Sequence, residues 1–204
     1  MGCDIHVYTE KLVEIDGKNK WVNCDNWQYN EYYNPRNQDG ETKMHLNPIY
    51  SNRNYALFSV LAGVRDYSEN NKMISKPKGL PKDISKITKA EAKRWEGDAH
   101  SHSYFTLKEL KDFRLEKHKV KFCGLVSKQE AENLEAGIST PQSWCRAADP
   151  SLGLVYKEWE EDCDVLFHLV KALDEKMREE FWIFNSDEHP EYEVKIRIVF
   201  WFDN

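Results

Sequence analysis

Residues 3–13 alternate in polarity, with Cys3, Ile5 and Val7 on one side and Asp4, His6 and Tyr8 on the other. That period of two predicts a strand. Asp16-Gly17-Lys18 predicts a turn, and Lys20-Trp21-Val22-Asn23 a returning partner strand. Residues 24–50, rich in Asn, Tyr, Asp and Pro, lack periodicity and predict a long loop. From Asn54 to Val64 the apolar stripe Tyr55, Phe58, Leu61 and Ala62 predicts a helix, with Gly63 near its end. Three capping boxes predict further helix starts: Thr88 with Glu91, in a short helix ended by Gly97; Thr106 with Glu109; and Ser127 with Glu130, in a helix stopped by Gly137. Residues 138–158 read as loop. Residues 163–181 carry Val165, Leu169, Leu173 and Met177 at intervals of four and predict the strongest helix. At 192–203 strict alternation returns. Val194, Ile196, Ile198, Phe200 and Phe202 share one face, and Lys195, Arg197, Val199, Trp201 and Asp203 the other.

Strands at both ends with helices between them predict an α+β fold: a single domain over 1–204, with a mainly antiparallel sheet that contains the N- and C-terminal strands and is packed by several helices. Pairing of the terminal strands would bring Asp4 and His6 near Arg197, Trp201 or Asp203.

Composition narrows the function classes. The chain of 204 residues is 40% hydrophobic and 13% aromatic, enough for a substantial core. Its formal charge is −6, with both signs mixed throughout, so generic duplex DNA binding is not expected. The five cysteines form no Cys-x-x-Cys pair and read as reduced, mostly buried thiols. No signal peptide or apolar run of membrane length appears, and a cytoplasmic protein is expected. Met1-Gly2-Cys3 has the outline of an acylation signal, but His6 stands where Ser or Thr would be needed, so acylation is not expected.

Two polar segments carry the candidate chemistry. On a strand Asp4 and His6 project from one face, where a carboxylate and an imidazole can share a proton or a metal ion. In the segment from Asp98 to Tyr104, extended backbone would put Asp98, His100 and His102 on one face. Two imidazoles and a carboxylate suit zinc, manganese or iron, of which zinc or manganese is the expected cofactor. The segment runs into the helix start at Thr106, whose free N–H groups would favour a phosphate. Asp4, His6, Asp98, His100 and His102 are therefore the candidate metal ligands, and Asp4, His6, His100 and His102 the candidate catalytic groups. Arg53, Tyr55, Arg65, Ser101, Ser103 and Tyr104 are candidates for substrate binding, Arg53 and Arg65 as bidentate partners of phosphate. For each the plainer reading stands beside it: a satisfied polar strand face, loop side chains that bond the backbone, arginines in ordinary surface ion pairs. Gly-x-Ser-x-Gly, phosphate-loop and dinucleotide-binding motifs are absent.

The opening Met1-Gly2-Cys3-Asp4-Ile5-His6 resembles that of an uncharacterised protein family of bacteriophages and prophages. The similarity continues at Arg53-Asn54-Tyr55, Leu57-Phe58, Leu61–Arg65 and Gly79-Leu80-Pro81. It then includes Asp98 through Tyr104, Thr106-Leu107 and Ile198–Asp203. The resemblance implies a phage setting in a host cytoplasm, and no reaction. The leading expectation is a metal-dependent hydrolase acting on a phosphoester or nucleotide, countering host defence in that setting. The alternative is a non-catalytic protein that sequesters a nucleotide signal or inhibits a host defence protein. A third reading is an assembly accessory in which the polar segments only organise the fold.

Overall fold

In the computed structural model, residues 2–36, 42–69 and 71–203 are described. Met1 of the opening motif and part of the predicted 24–50 loop lie outside them. The elements run β1 (Ile5–Ile15), β2 (Lys18–Asn23), β3 (Asn26–Tyr29), β4 (Met44–Asn47), α1 (Tyr55–Ala62), α2 (Lys86–Arg94), β5 (His100–Thr106), α3 (Leu107–Leu115), β6 (Val120–Val126), α4 (Lys128–Glu135), β7 (Val155–Glu161), α5 (Phe167–Phe181) and β8 (Ile196–Phe202). They pack as two compact units. The first joins residues 1–53, 77–113 and 166–204, and the second residues 54–76 and 114–165.

The first unit holds a wholly antiparallel sheet of order β2-β1-β8-β5. The terminal strands pair as expected, Ile5 opposite Phe202 and Glu10 opposite Arg197. Directly opposite residues share a face. Ile5, Val7, Phe200 and Phe202 therefore lie on one side, and His6, Tyr8, Val199 and Trp201 on the other. The regular alternation at 192–203 suggests one wet face, yet all seven residues of β8 are buried. It is a central strand with a covered sheet face on each side. Helix α5 packs on β1 and β8. Its Glu180 accepts a 2.6 Å bond from Lys11, which lies on the Ile5 face. Helix α2 lies on the opposite face, where Tyr8 Oη donates to Glu91 Oε2 (3.4 Å).

One polar network ties β1, β8 and the start of α2 together. Glu10 Oε2 accepts from Arg197 Nε (2.9 Å) and Nη2 (2.8 Å), and its Oε1 accepts the Ser85 N–H (2.8 Å). Ser85 caps α2 through the N–H of Thr88. Helix α2 thus starts one turn earlier than the Thr88–Glu91 box predicts. The Arg197 guanidinium also pairs with Asp83 (2.9 Å) and lies over the Trp21 ring at 3.9 Å.

The predicted loop at 24–50 contains the hairpin β3–β4, with Trp27 opposite Leu46. Asn26-Trp27-Gln28-Tyr29 does alternate, but four residues are too short a run to mark a strand, and both aromatics are exposed.

In the second unit, α1 has Asn54 as its cap and ends at Gly63 in left-handed backbone, φ 67°. The capping box of Ser127 and Glu130 opens α4 as expected. Strands β6 and β7 pair antiparallel, so the loop expected at 138–158 gives way to β7 at its C-terminal end. Val126, Ala131 and Trp159 form a small core with Phe122, Leu134 and Val155 packed against it. All five cysteines are free. No helix among the described residues is long and apolar enough to cross a membrane.

Candidate functional site

The pairing of β1 with β8 delivers Asp4 and His6 to the same end of the sheet as Asp203. Backbone bonds clamp the two chain ends: the Asp203 N–H donates to the Asp4 carbonyl (3.2 Å), and the Asp4 N–H donates to Asp203 Oδ1 (3.0 Å). The other carboxylate oxygen, Oδ2, hydrogen-bonds His6 Nε2 at 3.1 Å. Asp203 is thereby oriented by the backbone and in turn orients the imidazole. The His6 ring lies against Trp95, centroids 3.9 Å apart, with Trp201 behind it at 6.0 Å. Trp95 is the C-terminal cap residue of α2, so the network that anchors the start of this helix also sets the ring over His6.

Asp4 turns its own carboxylate outward. Arg53 grips it bidentately, Nε to Oδ1 at 2.9 Å and Nη2 to Oδ2 at 2.7 Å. That bond and the guanidinium charge hold Asp4 below its usual carboxylate range. The pair is about half exposed, so it contributes little stability and leaves the guanidinium open to solvent. Gly2 makes room for it: a Cβ there would stand 2.5 Å from Arg53 Nη1.

The second polar segment folds differently from the extended stretch expected of it. His100 pairs with Phe202, but Ser103 pairs with Phe200, so β5 carries one extra residue. Ser101, at φ 53°, is that bulge. A bulge reverses the alternation, so His100 joins the Phe202 face and His102 the Trp201 face, where its ring is 5.7 Å from Trp201. The two imidazoles are therefore not co-facial. His102 stands on the His6 side, and burial, then the nearby His100, pushes its pKa down, which favours the neutral ring. His100 Nδ1 hydrogen-bonds the Ser101 hydroxyl at 3.1 Å, while its Nε2 is buried without a partner. Asp98 is exposed in the turn after α2, its N–H bonded to the Trp95 carbonyl. Among the described residues no three His, Cys, Asp or Glu side chains are grouped to hold a metal ion.

The other candidates have contacts of their own. Ser103 is fully buried and accepts the Lys78 N–H (3.3 Å). Tyr104 carries the cations of Lys78 and Arg197 over its ring, at 4.7 and 5.6 Å. The start of α3, expected to attract phosphate, is closed by its own box. Glu109 accepts from the Thr106 N–H at 2.7 Å and places a negative charge there. Tyr55 and Arg65 belong to the second unit, the guanidinium 5.9 Å from the ring.

Of the groups at this end of the sheet, Trp95 left no sequence signal, since a tryptophan after a short polar helix reads as surface or core alike. Asp203 was reachable only through strand pairing. No protein-family model, curated protein or solved structure matches the chain.

Proposed function

We propose that the protein is a hydrolase of a phosphoester or nucleotide in which His6 is the general base that activates water and Asp203 is its positioning residue. The supporting observation is the His6–Asp203 hydrogen bond, 3.1 Å long, in a side-chain pair about one-fifth exposed. An imidazole held by a fixed carboxylate is oriented for proton transfer and stabilised when it becomes imidazolium. Partial exposure lets water reach it. Arg53, half exposed and linked to the same network through Asp4, is the group suited to a phosphoryl oxygen. Trp95 offers an aromatic surface beside the base. In a metal-dependent form of the reading, His6 and Asp203 would turn from each other toward a shared zinc or manganese ion.

The test is a hydrolysis screen on phosphomonoesters, phosphodiesters and cyclic and linear nucleotides, with and without zinc or manganese. His6→Ala should lower kcat by about 10²–10⁴-fold, the usual contribution of a general base. Asp203→Asn should lower kcat with KM unchanged, and Asp203→Glu should restore part of it. Undiminished turnover in His6→Ala would sink the assignment. A nucleotide bound and recovered unaltered would favour the non-catalytic reading, a protein that captures such a ligand.

A further inference from the structure

The second unit contains a cleft of about 540 Å³, within the size range of small-molecule sites. Its walls come from the turn after α1 and from β6 and β7, and its charged and aromatic lining is Arg65, Asp66, Tyr67, Glu69, Arg146 and Tyr156. The position of Arg146 follows from the backbone. Cys145 pairs with Leu125 of β6 through two bonds, of 2.8 and 3.1 Å. Gly124 permits that approach, because a Cβ there would meet Trp144 Cδ1 at 2.9 Å and the Cys145 carbonyl at 3.1 Å. The next residue, Arg146, then lays its guanidinium over the Tyr67 ring at 4.8 Å.

Arg146 is exposed and makes no ion pair with any described carboxylate, although two carboxylates line the same cleft. Asp66 is committed elsewhere. It accepts from the Ser68 hydroxyl (2.7 Å) and from the Asn71 N–H (3.1 Å) and side-chain amide (3.0 Å). Arg65 and Glu69 hold left-handed backbone, φ 57° and 54°, on either side of the Asp66-Tyr67 turn. Such conformations cost about 1–3 kcal/mol each and gather at ligand sites. Opposite them, Tyr156 donates its hydroxyl to Glu158 Oε1 (3.0 Å), which leaves its oxygen as an acceptor. The Cys123 thiol beside it, and then that bond, raise the phenol's pKa well above the ordinary range.

We infer that this cleft binds a small phosphorylated metabolite of mononucleotide size, its phosphate held between the guanidiniums of Arg65 and Arg146. A planar guanidinium fits two phosphoryl oxygens at once. Stacking on Tyr67 pre-orients Arg146 and lowers the entropy lost when it closes on an anion. Glu69 accepts from the hydroxyl groups of a sugar, and the Tyr156 oxygen can accept from another. The site is independent of the His6–Asp203 reading, because it uses none of those residues.

The test is calorimetric titration of the full chain with four nucleoside 5′-monophosphates, with ribose 5-phosphate, with inorganic phosphate and with adenosine. At least one phosphorylated probe should bind at least ten-fold tighter than adenosine. That affinity should fall about ten-fold or more in Arg146→Ala, a loss of about 1.4 kcal/mol or more, and the fold survives because the side chain is exposed and unbridged. Arg65→Asn, which tolerates left-handed backbone, should weaken the same probe, with circular dichroism checking that the variant is folded. Failure of every phosphorylated probe to bind, or an affinity unchanged in Arg146→Ala, overturns the inference.

Discussion

Glu10→Gln should be among the most damaging single substitutions in the chain. Glu10 is fully buried and Arg197 almost so. The exchange preserves shape and an oxygen for the Ser85 N–H but removes the charge that Arg197 is paired with at 2.8 Å. Removing one member of a buried ion pair costs about 3–5 kcal/mol, because the other charge is left uncompensated in a poorly polarisable place. Two contacts soften the loss: Asp83 still reaches Arg197, though it is itself mostly exposed, and the Trp21 ring still faces the cation. The expected cost is therefore near the low end, about 3 kcal/mol, or roughly 6–12 °C in melting temperature for a chain of this size. Urea titration followed by circular dichroism gives the free energy directly. The paired variant Glu10→Gln/Arg197→Met should recover all but about 1–2 kcal/mol, since no charge is then stranded. In the single variant the Ser85 amide should also exchange faster, because its acceptor belongs to the same network. A single-variant cost under about 1 kcal/mol, or a double variant worse than the single, would refute the assignment of Glu10 and Arg197 as a mutually dependent buried pair.

Two further outcomes follow from other parts of the fold. Asp25 is buried beneath the β1 backbone and accepts from the Thr9 N–H, and burial outweighs that bond and its others, raising its pKa to about 6. The folded state thus binds a proton more readily than the unfolded chain, so stability should fall as pH rises from about 4 to 6, by up to about 3 kcal/mol. Asp25→Asn should flatten that slope in melts taken across the window, and an unchanged slope would count against it. Ser127→Ala removes the hydroxyl that accepts the Glu130 N–H in the box opening α4, and should cost about 1 kcal/mol in a urea titration. A neutral result would mean that Glu130 alone, through the Ser127 N–H, is enough to start the helix.

The difference between what the chain announces and what it conceals is a difference of range. Capping boxes at Thr106 and Ser127, the stop at Gly63 and the turn at Asp16-Gly17 act within four residues, and the structure forms each where the sequence places it. Pairing of the two terminal strands was legible because both carry long, regular alternation. Strands β3 and β4 were not, because so short a pair owes its stability to a partner and to what covers it. Strands β6 and β7 are as long as β8, but the runs Val120–Val126 and Val155–Glu161 carry no regular alternation. The same limit governs the site. Asp4 and His6 were readable as co-facial on a strand, but the co-facial set of Asp98, His100 and His102 assumed an alternation that the Ser101 bulge breaks. Ser101 carries no glycine-like mark, and a bulge of one residue is decided by whether Phe200 and Phe202 can be covered on one face and Trp201 on the other. The polar residues at this end of the sheet therefore take their partners from the packing of β8. Its aromatic residues accompany that sorting: His102 lies beside Trp201 on the His6 side, and His100 beside Phe202 on the opposite side. Any chemistry at His6 thus depends on a strand whose own side chains are apolar at every position but Arg197.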